Sequence, residues 1–371
     1  PAFLNNSHFA FSLYRRMVAA NPGKNIVFSP LSFSIRLTLL ALQAGPAACT
    51  QVLEALGFPL TQVPGHGVHA RCSQQLLASL LSLAACQPHM GSILFVDERQ
   101  PLAQRFVDIA QNLHGTEVFL IPFGSKQVAG EQMDPFASKM THYEIRKLAQ
   151  ELTPDTVLIL ANYIFFKGTW KILFDRKLTE IRPFSVREGV KVLVPMMQRP
   201  GWFQPQRFYH LHGYVLRLPC TCHTTAVFIL PHTGKTRDTE EALMRENFDA
   251  WSRSFPLSSR RRLYFPKFTL SGTSQLEQFL PSMGMPDIFS YRAGITGISL
   301  QSIPLKISRV SSAQSRELTM DETGAEAEDT SAFRFLPRSY FPPFHFNRPF
   351  LLLMFEEGSG NLLFMGKVMN P

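Results

Sequence analysis

The chain has 371 residues, 45% of them hydrophobic and 18% charged, which supplies a large buried core and excludes an intrinsically disordered protein. Its formal net charge of +9 favours acidic partners such as glycosaminoglycan, nucleic acid or anionic membrane, or serves solubility alone. The longest apolar runs, such as Val157 to Phe166, are too short to span a bilayer, so no membrane partner is expected.

Ser7 can cap a helix that carries Phe9, Leu13 and Met17 on one face. Pro22-Gly23 ends it. A second helix is predicted from near Ser32 through Leu37 to Leu42, and a third over residues 73–85. Strand signals follow. Ser92 to Val96 is short and apolar, and Val157 to Phe166 is nearly continuous, as for a strand buried on both faces. His223 to Leu230 and Leu351 to Phe355 read the same way, and Gly358-Ser-Gly360 is a turn signal. Helical and extended segments interleave without βαβ regularity, which predicts an α+β fold. No repeat or low-complexity linker divides the chain, so one domain over 1–371 is expected. The outlier is Glu317 to Arg348, acidic and small at first, then aromatic and proline-rich. Irregular stretches of that length are functional or disordered.

Five cysteines, Cys49, Cys72, Cys86, Cys220 and Cys222, form an odd, sparse set that is not a disulfide framework. They are predicted to be buried or half-buried thiols. Cys220-Thr-Cys222 on a strand would put two thiols on one face, with His223 and His210-x-His212 nearby. Zinc would need more ligands at tetrahedral reach, and neither a metal nor a cofactor is expected. Pro1 opens without the basic, apolar and small-residue order of a signal peptide, which fits a mature secreted protein and equally a cytosolic one. Asn5-Asn6-Ser7 makes Asn5 a candidate glycosylation site.

Catalytic motifs are missing: there is no G-x-S-x-G elbow, P-loop, H-E-x-x-H or G-x-G-x-x-G. Arg260-Arg261-Arg262, with Arg253 upstream and Lys267 downstream, is either a solvated charge run or a site for heparin or a related sulfated polysaccharide. No nucleic-acid recognition signature accompanies it.

A set of passages occurs in one order over nearly the whole chain: Asn25-Ile-Val-Phe-Ser-Pro-Leu-Ser32, Asn162-Tyr-Ile-Phe-Phe-Lys-Gly-Thr-Trp170, Val194-Pro-Met-Met197, Phe228-Ile-Leu-Pro231, Phe265-Pro-Lys-Phe268, Phe346-Asn-Arg-Pro-Phe350 and Phe364-Met-Gly-Lys-Val-Met-Asn-Pro371. In these the chain resembles the serpin family, most closely its antitrypsin-like secreted branch. The resemblance implies about nine helices around three β-sheets, a monomer, no enzymatic activity, and an exposed reactive-centre loop at about 322–345. It implies a suicide substrate: a trypsin-like serine protease cuts the loop, which inserts into the main sheet and carries the bound protease with it.

The family's hinge glycine aligns with Gly324 after Glu322, and Phe346-Asn-Arg-Pro-Phe350 marks the other end. The spacings 338 − 324 = 14 and 350 − 338 = 12 both match the family loop and place the reactive bond at Arg338–Ser339. Arg338 would pair with an acid in the protease pocket, and Pro337 stiffens the approach. On insertion the inward residues map to Ala325, Ala327, Asp329 and Ser331. The alanines and the serine fit, but an unpartnered buried Asp329 carboxylate costs several kcal/mol. By the same resemblance Ser29, Ser32, Asn162 and Gln314 occupy the shutter, where the family has histidine at the last position. Glu322 and Lys267 match a family ion pair with Trp170 packed nearby. Asp329 and Gln314 keep a second function open, a non-inhibitory hormone carrier or simple protease substrate.

Overall fold

The computed structural model describes residues 6–57, 72, 90–99, 104–112, 116–138, 146, 149–150, 152–153, 156, 158–164, 170–171, 173–202, 205–220, 223–243, 260–270, 276–288, 318–322 and 342–371. The described helices are α1 (Ser7–Ala20), α2 (Pro30–Ala41), α3 (Pro46–Ala55), α4 (Gln104–Asn112), α5 (Lys126–Met133) and α6 (Thr236–Glu241). The strands are β1 (Ile26–Phe28), β2 (Met90–Asp97), β3 (Thr116–Ile121), β4 (Leu158–Ile164), β5 (Glu180–Arg187), β6 (Val190–Trp202), β7 (Gln206–Phe208), β8 (Gly213–Pro219), β9 (Thr224–Pro231), β10 (Arg260–Pro266), β11 (Phe268–Leu270), β12 (Leu318–Met320), β13 (Pro343–His345), β14 (Phe350–Glu356) and β15 (Leu362–Val368). The predicted helix over 73–85 lies outside the described residues.

The chain forms two compact units. The first takes Pro1–Phe9, Pro30–Phe166 and Gly272–Arg316. Within it, Pro30 and Pro46 start α2 and α3 at positions whose N–H would have no helical partner. The α2 hydroxyls are satisfied internally: Ser34 donates to the Pro30 carbonyl at 2.7 Å and Thr38 to that of Ser34 at 2.8 Å. β2 and β3 run parallel with α4 between them, and β4 is antiparallel to β2. Among the described residues this is one local βαβ unit beside largely antiparallel sheets, in keeping with the α+β expectation. A buried cluster of Ile93, Phe95, Ile121, Phe123, Met133 and Ile159 holds α5 to this sheet. Ser125 caps α5 through the Val128 amide.

Cys49 and Cys72 are joined by a disulfide, with Cα atoms 6.3 Å apart. This corrects the expectation of free thiols for these two residues. Their spacing in sequence carries no pairing signal; the amphipathic turn of α3 brings Cys49 inward to full burial.

The second unit takes Ala10–Ser29, Lys167–Ser271 and Glu317–Pro371. Its largest sheet runs β1-β15-β14-β9-β8-β7 and is antiparallel throughout. Every residue of β9 and β15 is buried, so the apolar run Ala226–Leu230 does not alternate, and the one charged residue of β15, Lys367, is buried against Glu240 at 2.9 Å. β1 approaches β15 so closely that a Cβ at Gly366 would lie 2.5 Å from the Ile26 carbonyl oxygen. A second sheet runs β13-β10-β6-β5, with β13 parallel to β10, and β11 pairs with β12. A phenylalanine cluster packs the unit: Phe228 on β9 lies 4.6 Å from Phe265 on β10, and Phe265 lies 5.1 Å from Phe346 and 5.3 Å from Phe350.

Breaking the Cys49–Cys72 bond, with a separation of 23 residues, is expected to lower the unfolding free energy by about 3 kcal/mol. A Cys49→Ser, Cys72→Ser variant should unfold at lower urea, with a slightly steeper denaturant slope because its unfolded chain is less constrained. If reductant leaves the wild-type midpoint where it was, the thiols are not bonded.

Candidate functional site

The main polar node sits where β12 ends. β10 leads through Pro266 and Lys267 into β11, and β11 pairs with β12 so that Phe268 faces Met320. The Lys267 amide donates to the Pro195 carbonyl at 2.9 Å. This register delivers Asp321 and Glu322 beside Lys267. The Lys267 ammonium lies 3.1 Å from Glu322 Oε2, and the Thr179 hydroxyl donates to Oε1 at 2.7 Å. The Phe174 amide donates to the Glu322 carbonyl at 3.0 Å, and Trp170 Nε1 donates to the Asp321 carbonyl at 3.0 Å. Trp170 is buried with Phe174 and Phe228 rings 6.3 and 6.2 Å away. The Glu322 side chain is only 4% exposed whereas Lys267 is 43% exposed. Burial alone would raise the Glu322 carboxyl. The Thr179 hydroxyl, its own backbone amide and the Lys267 ammonium outweigh burial and hold it below the ordinary carboxylate value.

A second fixed point lies past residue 341. β13 aligns Pro343 with Arg262 and His345 with Tyr264, and the Arg262 amide donates to the Pro342 carbonyl at 3.1 Å. The Phe346 amide donates to the Tyr264 carbonyl at 2.9 Å and buries its ring in the phenylalanine cluster. His345 stacks on Tyr264 at 4.5 Å, and the Arg182 guanidinium covers that ring at 4.5 Å. Burial, then the Arg182 charge, makes His345 harder to protonate than a free imidazole.

Between these two points run residues 323–341, which carry Gly324, Ala325, Ala327, Asp329, Ser331, Pro337, Arg338 and Ser339 and lie outside the described residues. Gln314 and Asn5 lie outside them too, as do Cys86 and Cys222. Ser29 is buried just before α2 and Ser32 is buried within it. Asn162 is on β4, opposite Ser92. Cys220 bridges to Trp170, and burial pushes its thiol up to about 12. Among the described residues no cluster of His, Cys, Asp and Glu could hold a metal ion.

Arg260, Arg261 and Arg262 occupy the first three positions of β10. Strand alternation divides them. Arg261 shares a face with the fully buried Leu263 and Phe265, and its Nε is buried with no hydrogen-bond partner among the described residues. Arg262 lies on the opposite face with Tyr264. Thr179, Phe174 and Asp321 belong to the node but carry no motif. Only the tertiary approach of the segment after β12 gives them a role.

Because folding lowers the Glu322 pKa, its stabilisation is full above the unfolded carboxylate value of about 4.3 and is lost as pH falls through the folded value. Glu322→Gln is therefore expected to unfold more easily than wild type at pH 7, by about 1–2 kcal/mol. The gap should close as pH falls below 4. Melting curves over pH 3–8 measure it, and a pH-independent gap would remove the ionised carboxylate as its cause.

The family model described as serpin (serine protease inhibitor) matches residues 4–371. Alpha-1-antiproteinase 2 of Equus caballus is 36% identical over 367 residues, covering 99% of this chain and 86% of the horse protein. Alpha-1-antitrypsin 1-5 of Mus musculus is 37% identical over 371 residues, covering 99% and 88%. Among solved structures, human thyroxine-binding globulin complexed with thyroxine superposes with a TM-score of 0.82 at 29% identity, covering 100% of this chain and 98% of the other. Human glycosylated kallistatin does so at 0.79 and 32% identity, covering 100% and 97%. With one family model spanning the chain, and relatives and folds matched end to end, this chain belongs to the serpin family, near its antitrypsin-like members.

Proposed function

We propose that the chain inhibits trypsin-like, arginine-cleaving serine proteases, with residues 323–341 as bait and Arg338–Ser339 as the reactive bond. The observation that carries this reading is the pair of fixed stems. Glu322 is held by Lys267 and Thr179, and Pro343 is held on β10. Arg338 stands 338 − 322 = 16 residues after the first and 343 − 338 = 5 before the second. The protease serine oxygen bonds to the Arg338 carbonyl carbon, the Arg338–Ser339 C–N bond breaks, and the Ser339 amine leaves with the proton. The freed strand, with Gly324 as hinge and Ala325, Ala327, Asp329 and Ser331 inward, then inserts before water can cleave the ester. Glu322, Lys267 and Trp170 control the point of entry, and by the family resemblance Ser29, Ser32, Asn162 and Gln314 take the shutter positions.

We read the whole of 1–371 as one secreted, monomeric domain. The Cys49–Cys72 disulfide supports an oxidising compartment, and Asn5 is its candidate glycan site. Since alternation puts Arg261 on the face of Leu263 and Phe265, a polysaccharide contact on β10 would draw on Arg262 rather than Arg261.

A second reading is a non-inhibitory carrier or protease substrate. It draws on Asp329 and Gln314 and on the structural likeness to thyroxine-binding globulin. The two readings part on one experiment. Mixed with trypsin, the inhibitor forms a complex that survives boiling in detergent, the cut protein melts well above the intact one, and Arg338→Ala abolishes the complex. Clean cleavage after Arg338 with no complex and no gain in melting temperature would overturn the inhibitory reading in favour of the second.

A further inference from the structure

The strand that seats the C-terminal stem carries a titratable side chain at its contact point. β13 is three residues long and ends its sheet, with β10 its one strand neighbour among the described residues. Backbone bonds flank it, from the Arg262 amide to the Pro342 carbonyl at 3.1 Å and from the Phe346 amide to the Tyr264 carbonyl at 2.9 Å. So short an edge strand has few ladder bonds, and its side chains weigh heavily in how firmly it sits.

The parallel register puts His345 beside Tyr264 and Pro343 beside Arg262. The half-buried imidazole lies nearly flat on the Tyr264 ring, with centroids 4.5 Å apart and planes inclined by 21°. The Arg182 guanidinium reaches from β5 over the same ring, 4.5 Å from its centroid. Strand alternation adds Arg262 of β10 to this face. β6 contributes the neutral Gln198 opposite Tyr264. Glu180 of β5 already accepts from Arg182 at 3.0 Å and from the Gln198 amide. Arg348, three residues after His345, donates to the Pro231 carbonyl at 3.0 Å.

A neutral imidazole stacks here without a charge penalty. An imidazolium would lose hydration and would meet a ring that already carries a cation. Burial first, then the Arg182 charge, make His345 harder to protonate than a free imidazole.

We propose that His345 is an acid-sensitive latch, whose uptake of a proton weakens its seat on Tyr264 and loosens β13 from β10. The opened strand leaves the edge of β10 unpaired. The latch rests on β5, β10 and β13 alone and does not depend on the bait assignment. Because closing the strand disfavours the protonated imidazole, the closed form is fully favoured above the free histidine value of about 6.5. That preference declines as pH falls below it, and levels off once the closed form is itself protonated.

The test is amide exchange of Arg262 and Phe346 in the full chain at pH 7.5 and 5.5, corrected for the pH dependence of exchange itself. Wild-type protection is expected to fall about threefold on acidification, the size of a charge contact at a half-exposed site, while the amides of β15 keep theirs. His345→Phe keeps a ring on Tyr264 and should show no such fall. Arg182→Gln should make the fall smaller. Titration of the wild-type imidazole by NMR reads the latch without any variant, and His345 is expected to titrate below free histidine. Three outcomes would each overturn the proposal: wild-type protection that does not change with pH, a fall that persists in His345→Phe, or a His345 titration at or above about 6.5.

Discussion

The phenylalanine cluster around Phe228 and Phe265 is the interaction on which the site depends. Phe265 on β10 packs at once against β9, β14 and the segment after β13. Tilted and edge-on ring pairs of this kind add roughly 0.5–1.5 kcal/mol each beyond their area. Two residues along from Phe265, Lys267 projects toward Glu322. One residue back, the Tyr264 carbonyl takes the Phe346 amide. β10 and the Lys267 that directly follows it therefore fix both stems of the 323–341 segment, and the aromatic cluster fixes β10.

The two stems are held by different physics. The C-terminal stem rests on ladder hydrogen bonds, a buried Phe346 and the stack of Arg182, Tyr264 and His345, so its hold is mostly apolar and insensitive to salt. The N-terminal stem rests on a carboxylate with two side-chain partners, one of them a half-exposed ammonium. Charged contacts at a partly open node are weaker and adjustable. In the proposed inhibitory mechanism, that asymmetry suits a segment that stays seated at one end while the other gives way.

Much of this was legible in the sequence. β9 and β14 follow from their apolar runs, and α1 and α2 from their spacing. The proximity of Lys267, Glu322 and Trp170 was reached only through resemblance, since nothing local links positions 55 residues apart. The β5–β6 hairpin went unread because its pattern is irregular: Ile181 and Leu193 are 62% and 73% exposed although apolar. The Cys49–Cys72 bond was misjudged because pairing is a property of the folded chain, and an odd count of five conceals one bridge.

The arginine run on β10 shows the limit of composition most plainly. Three consecutive arginines look like one site only while the backbone is ignored. A pleated strand sends Arg261 to the face of Leu263 and Phe265 and Arg262 to the opposite face. The group of Arg207, His212, His232 and Arg348 is the converse case. Its members are scattered from 207 to 348 and form no run, yet the order β7-β8-β9 and the left-handed closure at His212 draw them to one edge. For a protein of net charge +9, where the charge acts is therefore decided by sheet order and alternation rather than by how densely arginine occurs along the chain.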